Sequence, residues 1–108
     1  MSDYGYPLAF GYFLLPESAD PAATLATAQL LDELGYDFIG VQDHPYNPDH
    51  LDAPSLLAVI LGQAERMRVF PTVANLGMRP HAMLAKVVAS QWLPWAARLA
   101  VLEKPSRR

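Results

Sequence analysis

Asp43 and His44 are the two adjacent residues whose chemistry and placement stand out in this chain. They close the stretch Tyr36-Asp37-Phe38-Ile39-Gly40-Val41-Gln42-Asp43-His44-Pro45. Its apolar, aromatic and β-branched residues read as a buried strand that follows a glycine stop at Gly35. Pro45 then turns the chain out of the strand. Imidazoles as a class exchange protons near neutrality, and a neighbouring carboxylate can assist such a transfer. Parallel α/β folds bind ligands at the carboxyl ends of their strands, so this pair is a candidate catalytic site. The plainer reading is an Asp-His-Pro turn whose side chains satisfy local backbone groups. Spacing alone leaves both open.

A metal site is the other chemistry to weigh. Asp43, His44, Asp49, His50 and Asp52 fall within a span of about ten positions and offer ligand types suited to a divalent ion. Their spacing matches no two-ligand helical motif, and Pro45 and Pro48 stiffen the loop between them. The chain has no cysteine, which removes thiolate sites and any disulfide framework. No metal is expected.

The elements that must position Asp43 and His44 follow a repeat. Leu8 to Leu15 is apolar nearly throughout and predicts a first strand buried on both faces, closed by Pro16, with Gly11 inside it. Asp20 is a helix N-cap ahead of Pro21, and Leu25, Ala28, Leu31 and Leu34 form an apolar stripe that ends at Gly35. After the second strand, Asp52 caps a helix over about Pro54 to Ala64. Met67 to Ala74 predicts a third strand, with an irregular end or bulge at Pro71. Asn75 to Arg79 is a loop, and Pro80 opens a helix to about Ser90. Strand starts near Leu8, Asp37 and Met67 are roughly thirty residues apart, the length of a βαβ unit. Such units build a parallel sheet. The same spacing puts a candidate fourth strand at Arg98 to Leu102.

Five pieces in order carry a family resemblance. They are Phe10-Gly11-Tyr12-Phe13-Leu14, Glu33-Leu34-Gly35-Tyr36-Asp37, Val41-Gln42-Asp43-His44-Pro45, Val73-Ala74-Asn75-Leu76 with Arg79-Pro80, and Ala85-Lys86. Together they resemble the start of the luciferase-like monooxygenase superfamily, which joins bacterial luciferase, FMN-dependent monooxygenases and oxidoreductases using the deazaflavin coenzyme F-420. The match covers Leu8 to Ser90. The resemblance implies an α/β fold that is part of a TIM (β/α)₈ barrel, a fold that typically needs about 250 residues. Over 91–108 the likeness fades: Arg98 falls at the family's arginine, but alanines replace its glycines. The expectation is a single truncated barrel domain spanning 1–108.

By position, the resemblance implies catalytic roles for His44 and Asp43. It implies cofactor contacts from Phe10, Gly11, Asp43, Thr72, Val73, Ala74 and Asn75, with a non-proline cis peptide near Val73-Ala74. The implied cofactor is FMN or coenzyme F-420, the substrate a small organic molecule, and the activity that of an oxidoreductase impaired by truncation. The alternative is a non-catalytic barrel fragment that binds cofactor weakly or pairs with another chain. Each residue also has a structural reading: Phe10 and Val73 as core, Asn75 as a turn former. Arg79 beside a helix start is either a phosphate ligand or a solvated arginine.

Composition narrows the partners. In 108 residues, 52% are apolar and 18% charged, which suits one globular domain with a modest core. A net charge of −3 with no basic cluster before the tail argues against nucleic acid. No apolar run approaches the roughly 20 residues that span a bilayer, and Met1 to Pro7 lacks a signal-peptide pattern, so a cytoplasmic protein is expected. Three or four βα units would leave sheet edges open, which predicts a homo-oligomer through those edges.

Overall fold

The computed structural model describes residues 4–91. Three strands, β1 (Gly11–Leu14), β2 (Phe38–Val41) and β3 (Arg68–Pro71), alternate with helices α1 (Pro21–Glu33), α2 (Ala53–Gln63) and α3 (His81–Gln91). A short 3₁₀ turn, Leu76–Met78, precedes α3. The sheet order is β1-β2-β3 with both pairings parallel, so all three carboxyl ends lie on one edge. This is the expected βα repeat. The candidate strand at Arg98–Leu102 lies outside the described residues, as does the rest of the tail beyond Gln91.

The helices begin where the capping chemistry places them. The Asp20 carboxylate accepts the Ala23 N–H at 3.1 Å, and Pro21 fills the first helical position. The Asp52 carboxylate accepts the Ser55 N–H at 3.2 Å and its hydroxyl at 2.6 Å. Helix α1 stops at Gly35, whose φ of 91° is open to glycine and strained for other residues. Of the predicted α1 stripe, Ala28 and Leu31 are buried and Leu25 is half-buried, but Leu34 is exposed because it already sits in the cap. Strand β3 ends at Pro71, as its missing N–H requires. The peptide bond Thr72–Val73 is cis, one bond before the position expected.

Alternation along the strands sorts residues onto two faces. Leu14, Ile39, Val41 and half-buried Val69 pack under Ala28 and Leu31 of α1 and Leu56, Leu57 and Ile60 of α2. The register Phe13↔Gly40↔Phe70 puts the other set on the opposite face, with Gly11, Phe38 and Arg68 in the row behind. There Phe13 is 49% and Phe70 42% exposed. The expectation that β1 is buried on both faces is therefore corrected. Among the described residues helices cover one face only and β1 is an edge strand, so Phe10, Tyr12 and Leu15 are exposed too.

Gly40 is where that open face cannot accept a side chain. A Cβ there would lie 2.5 Å from the Thr72 hydroxyl and 3.2 Å from the Phe70 ring. Gly40→Ala is expected to destabilise the chain by about 1–3 kcal/mol, the cost of overpacking. Urea unfolding measures it; an unchanged midpoint would show that Thr72 does not approach the strand so closely.

Candidate functional site

Asp43 leaves the carboxyl end of β2 and is 2% exposed. Its Oδ2 accepts the Asn75 backbone N–H at 2.8 Å and the Arg79 Nε at 2.8 Å, while Oδ1 accepts Arg79 Nη2 at 2.5 Å. A buried carboxylate needs such partners, since an unpaired one costs several kcal/mol. The two-pronged Arg79 contact dominates and holds the Asp43 carboxyl below the usual carboxylate range; burial opposes this, and the Asn75 N–H adds to the lowering. The same guanidinium reaches Asp52 Oδ1 at 3.1 Å. Burial works against the charged form of Asp52, but hydrogen bonds from Ser55 and Arg79 outweigh it and lower its pKa. Bonding to Asp43 in turn raises the pKa of Arg79. One arginine thus ties the end of β2, the loop after β3 and the N-cap of α2.

Asp43 therefore works through its partners. It fixes the backbone at Asn75, and Asn75 follows directly on Thr72, Val73 and Ala74. The Thr72 N–H donates to the Val41 carbonyl at 2.7 Å, extending the β2–β3 ladder past the strand. The Thr72 hydroxyl is buried without a hydrogen-bond partner. Val73, just after the cis bond, is 80% exposed. His44 is half-buried beside this group, with its ring stacked on Tyr46 at 5.2 Å and on His50 at 5.9 Å.

The loops above this edge are laced together. Ser18 N–H and hydroxyl both donate to the Asp49 carbonyl, at 2.9 and 3.0 Å, and the Leu51 N–H donates to the Pro16 carbonyl at 2.6 Å. The β1–α1 and β2–α2 loops are thus tied into one rim. Among the described residues no group of three or more His, Asp or Glu side chains could hold a metal ion.

Six of the eight expected site residues gather here: Asp43, His44, Thr72, Val73, Ala74 and Asn75. Phe10 and Gly11 do not. They lie at the amino edge, where the Phe10 N–H donates to Asp37 Oδ2 at 2.9 Å, and Gly11 is three residue steps, about 10 Å of rise, from Leu14 at the carboxyl end of β1. Arg79 is not a freely solvated arginine, because its Nε and Nη2 donate to the Asp43 and Asp52 carboxylates. Its bracing role escaped the sequence reading, since partners 36 and 27 positions away leave no local signal.

Parallel βα units with polar groups gathered at the carboxyl ends of the strands define an α/β domain of the kind that binds ligands at that edge. This chain belongs to the luciferase-like monooxygenase family, whose model matches residues 8–92. No curated protein matches it in sequence.

The brace has a pH signature. The folded pKa of Asp43 lies below its unfolded value of about 3.9, so its contribution is complete above that value. It is lost as pH falls through the lowered folded pKa. Arg79→Met strands the carboxylate and is expected to cost about 3–5 kcal/mol at neutral pH. That deficit should shrink in acid, as Asp43 takes up a proton. Denaturant unfolding across pH checks both; a pH-independent deficit would mean that Asp43 is not the group left unpaired.

Proposed function

We propose that this chain supplies βα units of a flavin- or deazaflavin-dependent oxidoreductase site, using FMN or coenzyme F-420 and a small organic substrate. One observation carries the reading: the Asp43–Asn75 hydrogen bond brings His44 and the segment Thr72–Asn75 to one edge. A flat heteroaromatic ring needs an apolar surface and polar groups at its rim. Exposed Val73 and half-buried Ala74 offer the surface, and the unpartnered Thr72 hydroxyl offers a hydrogen bond. The residues present therefore fit such a ring.

When bound, the cofactor supplies the electron or hydride transfer. The chain's own groups position and exchange protons. His44 is the proton-transfer group, able to give or accept a proton at a ring nitrogen. Asp43 holds Asn75 and Arg79, and so sets where Val73 and Ala74 stand. Phe10 and Gly11, at the other edge, have no part in this group. The reading carries with it a cytoplasmic location. Among the described residues no helix is long and apolar enough to cross a membrane.

A second reading rests on the uncovered sheet face. Phe13 and Phe70 stand half exposed there, on strands at the two edges of the three-stranded sheet. Such a surface favours a non-catalytic chain that pairs with another, or with its own copy. Sedimentation velocity separates the readings: association that rises with concentration supports pairing, and a monomer throughout removes it.

Titration with FMN and with coenzyme F-420, followed by fluorescence, tests the first reading. Saturable quenching by one of them is expected. His44→Ala should retain that binding and lower turnover by about 10²–10⁴-fold, the usual worth of a positioned acid or base. Absence of binding by either cofactor would remove the proposal.

A further inference from the structure

The loop after β2 holds an arrangement that the proposed chemistry leaves unused. The imidazoles of His44 and His50 lie 8° from parallel with centroids 5.9 Å apart, and the Tyr46 ring lies 24° from parallel to His44 at 5.2 Å. His50 is fixed through its backbone. It forms an antiparallel bridge with Glu17, and its N–H donates to the Asn47 carbonyl at 3.2 Å. The next residue, Leu51, is bonded to Pro16. The Nδ1 of His50 is buried with no hydrogen-bond partner, so that side of the ring faces protein rather than solvent. Tyr46, by contrast, is 63% exposed.

A histidine on a loop has several side-chain wells open to it, and ordering one costs entropy. Proton transfer needs the ring within about 10–20° of one orientation. A flat, half-buried neighbour removes that freedom before any ligand arrives. We propose that His50 is a positioning residue for His44: its pinned ring is the surface against which the His44 imidazole lies flat, and it sets the plane in which His44 presents its nitrogens. The functional meaning rests on His44 being the proton-transfer group; the ring geometry does not.

The test is NMR of the full chain with labelled histidine, read at the His44 ring protons. In the wild type those signals are expected to be displaced by ring currents and to show a nuclear Overhauser contact with the His50 ring. His50→Ala should lose the part of the displacement that the Tyr46 ring does not supply, and His50→Phe, which returns a flat ring without its nitrogens, should restore it. Signals unmoved in His50→Ala would overturn the proposal, as would failure of the phenylalanine variant to restore them in a native amide spectrum. If His50→Ala disturbs the whole spectrum, the wild-type contact decides: its presence supports the positioning role and its absence ends it. Cofactor titration fails independently of these signals, so loss of the oxidoreductase reading and loss of the ring contact are told apart.

Discussion

The constraint on which the rest depends is the buried charge of Asp43. A carboxylate that is 2% exposed cannot stand alone, and its partners come from far along the chain. Arg79 and the Asn75 N–H meet it, and Arg79 also meets Asp52 at the start of α2. The β2–α2 and β3–α3 connections, which would otherwise be separate loops, are fixed against one another. Hydrophobic packing under α1 and α2 makes the sheet, but it does not dictate where the loop after β3 sits. The Asp43 pairing does that.

The opposite edge uses the same device with a different outcome. Asp37 accepts the Phe10 N–H and an Arg66 nitrogen, and Asp32 accepts the N–H groups of Glu65, Arg66 and Met67. The Phe10 N–H is the main reason that the Asp37 carboxyl is shifted down. These groups satisfy backbone donors at the turn between α2 and β3 and at the entry to β1. They are positioned by local chain geometry and gather no exposed apolar surface beside an imidazole. One end of the sheet is closed by its carboxylates, whereas the other presents His44 and Val73.

Much of this was legible in the residues. Asp20-Pro21, Asp52 and Gly35 mark helix ends through chemistry that acts within a few positions, and all three do so in the structure. Parallel pairing followed from the roughly thirty-residue repeat. Apolar content misled at β1, since a run of hydrophobic residues does not reveal that a strand is an edge with only one face covered. Asp32 lies off the apolar stripe of α1, and nothing local marks it as the cap of the turn ahead of β3, more than 30 positions on. The bracing by Arg79 and the stacking of His44 on His50 were hidden for the same reason. Both depend on which loops meet at a shared edge, and periodicity carries no such information.

The proposed site joins His44 to the Thr72–Asn75 segment. The most direct measurement is the amide NMR spectrum of the full chain during titration with FMN and with coenzyme F-420. The account predicts that resonances of His44 and of Thr72 to Asn75 move together with a single dissociation constant, while those of Phe10 and Gly11 stay in place. Movement at Phe10 and Gly11 without movement at Thr72 to Asn75 would contradict it.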